Sequence, residues 1–291
     1  MSESPFRKVI VIGYGVVTGN VLKHIFQKKD EYGYSVSYIE HEPYPFNLAK
    51  KFADSEKIES FSVENKDKLL KHFNESVKDS KTLIVSASNN YIFPSALIHN
   101  ENVTIINFHN ALLPDYPGRN APSWVIYNGD KETGITWHYV SEKIDAGDII
   151  IQKKIAVSPN VRAYELAAQL MDMAYECFEE CFDDVVSERV IRKKQICERD
   201  RRIYKSNEIP GNGCFEIDSK PEDIYRLLRA VDYGKYAVFP MPVCRYNGQS
   251  IRIKRYKVVD KEETNKENTI YIPFGDAFLM LRYEMPHAEN E

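Results

Sequence analysis

This chain of 291 residues predicts an α/β fold: a mostly parallel sheet in an N-terminal domain, followed by a smaller strand-rich C-terminal subdomain. Two observations carry that expectation. Short runs rich in Val and Ile alternate with helix-period segments through the N-terminal part. Strands buried on both faces and linked by helical crossovers read this way. Past a charged stretch, "SERVIRKKQICERDRRIYKS" (187–206), the pattern changes to one helix among short strands. The boundary is therefore expected near residue 205, giving a domain at 1–205 and a small α+β subdomain at 206–291.

The elements follow in order. "RKVIVIGYGVVTG" is an apolar run ending in glycines, which reads as a buried strand and a tight turn into a helix over 16–29. "YSVSYIEHE" is a second strand. Helices follow through "FNLAKKFADS" and "NKDKLLKHFNESVKD". "TLIVSAS" (82–88) is a third strand and "NVTIINFH" (102–109) a fourth. "APSWVIYNGD" reads as a helix stopped at Gly129. "TGITWHYVS" and "GDIIIQKKIAV" read as two strands joined by "EKIDA". The segment 162–187 is a long helix whose Ala167, Leu170, Met171, Ala174, Cys177, Phe178, Cys181, Phe182 and Val185 form one apolar stripe. The charged stretch 187–206 reads as a linker or a solvated traverse. Beyond the turn "EIPGNG", "CFEID" is a short strand, "KPEDIYRLLRAV" a helix, and "IRIKRYKVV" and "TIYIPF" are strands.

Composition narrows the function classes. Hydrophobic residues make up 43%, enough for a packed core. The formal net charge is −4, so binding nucleic acid through bulk charge is disfavoured. The N-terminus lacks the apolar run and cleavage site of a signal peptide. No apolar stretch approaches the ~20 residues of a membrane span. Cys177, Cys181, Cys197, Cys214 and Cys244 are odd in number and irregular in spacing, which argues against a disulfide framework; Cys177 and Cys181 share one helix face and read as core thiols. No metal is expected. The chain reads as a cytoplasmic protein.

Three groups of residues invite chemistry. Gly13, Gly15 and Gly19 approximate a dinucleotide fingerprint, with Glu40 or Glu42 as the acidic partner. The last gap is one residue too long for it, and a plain strand-to-helix turn reads the same. Asn107 and His109 sit two apart at the carboxyl end of a strand, so both side chains project from one face. Ligands of open α/β sheets bind at that end. An amide can donate to an oxyanion and an imidazole can take a proton; a satisfied polar cluster would look alike. Asp145, in "KIDAGDII", could orient His109, or it could be ordinary turn chemistry along with Asp148.

Together these residues resemble a known family. "NFHNALLPDYPG" followed by "NGDKETGITWHYVSEKIDAGDIII" is similar to the N10-formyltetrahydrofolate-dependent formyltransferases. The shared elements are Asn107 and His109, Leu113-Pro114 through Gly118, Thr133-Gly134 through Thr136 and His138, and Asp145 with Gly147. The close likeness covers roughly 82–157, and it implies a Rossmann-like catalytic domain. It also implies the roles. Asn107 would bind the formyl oxygen as it becomes an oxyanion, His109 would move the amine proton, and Asp145 would orient His109. The folate would lie against the loop 86–92, with Ser86, Ala87, Ser88, Asn89, Tyr91 and Ile92, and against Ile144, Asp145 and Asp148 on the other wall. N10-formyltetrahydrofolate is the co-substrate expected.

The acceptor is read from departures and length. Transfer-RNA formyltransferases commonly carry Arg-Gly in the turn, where this chain has Pro117-Gly118 and then Arg119. Glycinamide ribonucleotide enzymes are shorter. Amino-sugar enzymes resemble this chain in length and in having a strand-rich C-terminal part. Tyr116 and Trp124 could pack on a sugar or base, with Trp124 equally readable as core on its helix, and Arg119 could meet a pyrophosphate. The resemblance thus implies N-formylation of a nucleotide-linked, dTDP-type dideoxy amino sugar for lipopolysaccharide O-antigen or similar glycans, by a homodimer. Methionyl-tRNA and a carrier-bound amino acid are the alternative acceptors.

Overall fold

The computed structural model describes residues 4–41, 47–63, 65–78, 80–196, 202–236, 238–262 and 266–285. Glu42 and Cys197 lie outside them. Among the described residues the order is β1 (Lys8–Gly13), α1 (Gly15–Tyr32), β2 (Ser35–His41), α2 (Leu48–Ser55), β3 (Glu59–Val63), α3 (Lys66–Ser76), β4 (Thr82–Ala87), α4 (Ser95–Ile98), β5 (Val103–His109), α5 (Ala121–Asn128), β6 (Glu132–Tyr139), β7 (Ile149–Ala156) and α6 (Ala163–Val186). Then come β8 (Cys214–Glu216), α7 (Pro221–Val231), β9 (Val243–Tyr246), β10 (Gln249–Val259), β11 (Thr269–Phe274) and β12 (Ala277–Glu284).

The chain divides into two units. The first comprises residues 1–118, 134–155 and 169–203; the second gathers 119–133, 156–168 and 204–291. The second unit is therefore built from three separate segments of sequence.

The N-terminal sheet has the order β3-β2-β1-β4-β5-β6-β7. β1 to β5 pair in parallel, and β6 runs antiparallel to β5. β1 and β4 lie next to each other at the centre and are apolar on both faces: Val9 to Ile12 and Leu83 to Val85 are fully buried. That is why these strands read as continuous Val/Ile runs rather than alternating ones. β3 was not legible in the sequence. It is an edge strand, "ESFSV", without a buried residue in its pattern. In α6 the apolar stripe is buried, with one correction. Met171 is 36% exposed and stands outside the stripe expected of it. Trp137 of β6 is fully buried, lies 5.1 Å from the Phe178 ring and donates its Nε1–H to the Ala174 carbonyl at 2.8 Å.

The glycine turn after β1 is tight, as one of the two sequence readings holds. A Cβ on Gly13 would sit 1.7 Å from the Ala87 carbonyl oxygen, and its φ of +142° suits glycine alone. The acidic residue of the dinucleotide reading is committed internally. Glu40 is 6% exposed and accepts from Asn47 Nδ2 at 2.6 Å and from the Ser62 hydroxyl at 2.7 Å.

The second unit holds a sheet of order β11-β12-β10-β9-β8. Ile224, Leu227, Leu228 and Val231 of α7 pack with Phe215, Cys244, Ile251, Ile253, Leu279 and Leu281 of these strands. β9 and β12 add two strands beyond those read from the sequence. Gly129, at φ +75°, ends α5 where expected. The charged traverse is not wholly free. Lys193 forms a bridge with Ile149 at the start of β7, with N–H···O distances of 2.7 and 3.1 Å.

Candidate active site

Strand register brings the predicted pair together with a third residue. Asn107 is paired with Ser86 of β4 on one side and with His138 of β6 on the other; His109 is paired with Thr136. Residues two apart on a strand share a face, so Ser86, Asn107 and His138 form a row across three strands with His109 beside it. The row is hydrogen-bonded throughout. Ser86 donates its hydroxyl to Asn107 Oδ1 at 2.7 Å. His138 Nδ1 donates to the Tyr139 carbonyl at 2.8 Å, which leaves Nε2 to accept from Asn107 Nδ2 at 3.3 Å. Asn107 Nδ2 also donates to the Phe108 carbonyl at 3.1 Å. With the serine fixing Oδ1 as the acceptor, the NH2 side of the amide is the one directed to donate.

Asp145 joins this row from the loop between β6 and β7. Its Oδ2 lies 3.6 Å from His109 Nδ1, its Oδ1 3.6 Å from His138 Nε2, and the Gly118 N–H donates to Oδ2 at 2.7 Å. At 3.6 Å neither imidazole contact is a hydrogen bond; the one to His109 is a charge contact. Burial by itself would raise the carboxyl pKa. The His109 charge and the Gly118 N–H outweigh it and hold Asp145 well below the ordinary carboxylate range. His109 is 5% exposed and donates Nε2–H to the Tyr116 carbonyl at 2.8 Å. Both of its ring nitrogens therefore face oxygen atoms, so a proton taken up by the ring during the reaction finds acceptors on either side.

The motif residues around the trio are required by close approach. A Cβ on Gly134 would stand 2.0 Å from the Lys153 carbonyl oxygen of β7; one on Gly147 would stand 1.8 Å from the Tyr139 carbonyl oxygen. Only glycine admits backbones that close. The Thr136 hydroxyl donates to Ala111 O at 2.7 Å and accepts from Leu113 N at 3.1 Å, while Gln152 Nε2 reaches Leu113 O at 2.7 Å. Thr136 and Gln152 thus anchor the turn leaving β5, just ahead of the cis Leu113–Pro114 bond.

The other expected site residues fall as follows. Ser86 is 1% exposed, with its hydroxyl turned onto Asn107. Ala87 is fully buried, and its carbonyl accepts from Thr18 Oγ1 at 2.6 Å. Ser88 has φ +51° and its carbonyl accepts from the Tyr14 N–H at 3.3 Å. Asn89 folds its own loop: Oδ1 accepts from Tyr91 N at 3.0 Å, and Nδ2 reaches Tyr91 O and Ser86 Oγ, both at 3.3 Å. The Tyr91 ring is buried against Phe73, Phe93 and His41. Ile92 is 69% exposed and Ile144 39%. The half-buried Asp148 gives its carbonyl to the Tyr139 N–H at 2.9 Å. Tyr116, at φ +54°, meets the trio through its carbonyl. Arg119 and Trp124 belong to the second unit. There the Arg119 N–H donates to the Tyr204 carbonyl at 2.9 Å. Trp124 is 5% exposed, with its ring 4.6 Å from that of Tyr204. That indole lies in the core of its unit.

Sequence reasoning quoted His138 in a motif and gave it no role. The signal was available. Thr136 and His138 are two apart on a strand, as Asn107 and His109 are, and pairing the two strands sets them opposite each other. Among the described residues no group of three or more His, Cys, Asp or Glu is placed to hold a metal ion.

Known proteins share this sequence pattern and fold. The methionyl-tRNA formyltransferase of Clostridioides difficile is 27% identical over 201 residues, covering 69% of this chain and 63% of that protein. The chain thus spans less than two thirds of that relative's length. WlaRD, a sugar 3N-formyl transferase solved in the presence of dTDP and 5-N-formyl-THF, has a TM-score of 0.69 at 17% identity, covering 97% of this chain and 99% of its own. The N-formyltransferase of Helicobacter canadensis, in complex with folinic acid and dTDP-3-aminofucose, gives 0.71 at 17% identity, with 96% and 99% covered. Likeness at that identity is a likeness of fold. The formyl transferase family model matches residues 7–181, a span that contains Asn107, His109, His138 and Asp145, and with its row of amide, imidazoles and carboxylate at the end of β5 the chain belongs to that family.

Proposed function

We propose that the chain transfers the formyl group of N10-formyltetrahydrofolate to the amino group of a nucleotide-linked dideoxy amino sugar, for cell-surface glycan synthesis. One observation carries the choice of acceptor. The solved sugar formyltransferases follow this chain over nearly its whole length and nearly all of theirs. The transfer-RNA relative is matched over 63% of its length. The dTDP present with those neighbours makes a dTDP-linked sugar the first substrate to try.

The residues divide the work as follows. The acceptor amine attacks the formyl carbon, and the carbonyl oxygen gains charge. The Asn107 NH2, with its orientation set by the Ser86 hydroxyl on Oδ1, exchanges its long bond to His138 Nε2 for one to that oxygen. The amine gives up a proton as the C–N bond forms, and the folate nitrogen takes one as its bond to the formyl carbon breaks. His109 relays that proton, and Asp145 stabilises the imidazolium without itself titrating near neutrality. The products are the N-formyl sugar and tetrahydrofolate, with no net change in redox state.

Methionyl-tRNA is the second reading, favoured by the sequence relatives. In the C-terminal sheet, β10 shows Arg252, Lys254, Arg255 and Lys257 to solvent. Lys254 is paired with Glu284, and Arg245 of β9 with Glu216 at 3.1 Å, which reduces the charge open to a polyanion. Turnover of the formyl donor with dTDP-linked amino sugars and, separately, with methionyl-tRNA decides between them. Formylation of the tRNA alone would overturn the sugar assignment.

A further inference from the structure

We propose that Gln195 is a positioning residue for the formyl-transfer site, holding the backbone of the loop that presents Asp145. The inference rests on Asp145 being part of that site. The sequence gives no hint of it, since Gln195 lies in the charged traverse. It is the one half-buried residue between Ile191 and Ile196, where all the others are exposed. Its side chain is turned inward onto the loop after β6. Nε2 donates to the Asp145 carbonyl at 2.9 Å and to the Gly147 carbonyl at 2.7 Å.

One amide clamping two carbonyls two residues apart fixes the bend of the chain between them. That bend is an unusual one. Asp145 has φ +49°, a left-handed conformation that non-glycine residues adopt rarely. It turns the carboxylate toward His109, His138 and the Gly118 N–H. A residue held there persists only where its surroundings over-determine it.

The rest of the traverse supports the clamp. Lys193 bridges Ile149 through two backbone hydrogen bonds just beyond the loop. The Arg192 guanidinium stacks over the Tyr139 ring at 4.0 Å, just before the loop. Segment 192–195 therefore grips the loop at its entrance, its middle and its exit. Gln195 is the contact in the middle, on the backbone of the carboxylate residue itself. Its Oε1 is buried and finds no hydrogen-bond partner among the described residues. The side chain is thus kept there by its donor end.

The test uses the full chain with Gln195→Met, which keeps the volume and removes the donor, and Gln195→Ala as the second variant. Each should lower kcat for formyl transfer about ten- to hundred-fold, with KM values within about two-fold, because misplacing a group that serves the transition state is felt in the chemical step. The deciding readout is independent of substrate: carboxyl 13C NMR of Asp145 against pH. In the wild type the carboxyl should stay ionised to the acid limit of the folded state; in the variants it should titrate at higher pH, as the contacts that hold it down loosen. A merely structural role would lower the melting temperature and leave that titration alone. An unchanged Asp145 titration overturns the proposal, whatever kcat does. Full activity of Asp145→Asn would instead overturn the assignment of Asp145 to the site, and the Gln195 titration result would stand apart from it.

Discussion

Asn107 and His138 face each other across the antiparallel β5–β6 pair, with Asn107 Nδ2 donating to His138 Nε2 at 3.3 Å. The bond orients the amide from one side as Ser86 orients it from the other. Both amide hydrogens are spoken for at rest, on His138 Nε2 and on the Phe108 carbonyl, so donation to an oxyanion exchanges the longer of these bonds for a stronger one to a charged oxygen.

Replacing Asn107 with Ala should lower kcat about 10²–10³-fold with little change in KM, the usual cost of removing one oxyanion donor. The fold should persist, because the side chain sits at the end of its strand. Steady-state kinetics and a melting curve check it together. Near-native kcat would remove Asn107 from the chemistry.

Ser86→Ala tests the support rather than the donor. The serine is buried and its hydroxyl holds Asn107 Oδ1. Without it the amide can turn its oxygen toward the oxyanion, so kcat should fall by roughly ten-fold, less than in Asn107→Ala. A Ser86→Ala loss as large as that of Asn107→Ala would point to a direct role for the hydroxyl.

Asp145 gives a pH signature. Burial raises its carboxyl pKa, and the His109 charge and the Gly118 N–H more than reverse that, leaving the folded-state value below the unfolded one. A depressed carboxyl stabilises the folded state above its unfolded pKa, about 4, and that contribution disappears as pH falls toward the folded value. The melting temperature of wild type should therefore exceed that of Asp145→Asn most at neutral pH, with the gap closing below about pH 4. A gap that is flat with pH would contradict the assigned environment.

Gly134→Ala puts a Cβ into the Lys153 carbonyl, a backbone group that cannot swing aside. It should cost about 1–3 kcal/mol of stability and reduce activity as well, since β6 carries His138. Denaturant unfolding gives the first number. Gly15, where an added Cβ meets nothing within 4 Å, is the matched control for crowding, although its φ of +83° brings its own penalty.

Trp124→Ala separates packing from binding. The indole is buried against Tyr204 and Tyr127. The expected cost is about 3–5 kcal/mol of folding stability. The sequence leaves substrate contact and core both open at this position. A stable variant with a raised KM for the acceptor would favour the substrate contact.

The sequence by itself determined the strand-and-helix alternation, the central Val/Ile strands and the Asn107–His109–Asp145 trio, because each is a local signal: burial on both faces, i,i+2 projection, a motif at fixed spacing. It also marked Gly134 and Gly147 without giving their reason. Only the tertiary structure decided which backbone each glycine must admit, that His138 completes the row, that Ser86 turns its hydroxyl inward, and that Trp124 lies in a core. It also decided that a glutamine fifty residues beyond Asp145 closes over its loop. These depend on which strands become neighbours and in what register. Register is set by the packing of the whole sheet, so no window of sequence contains it.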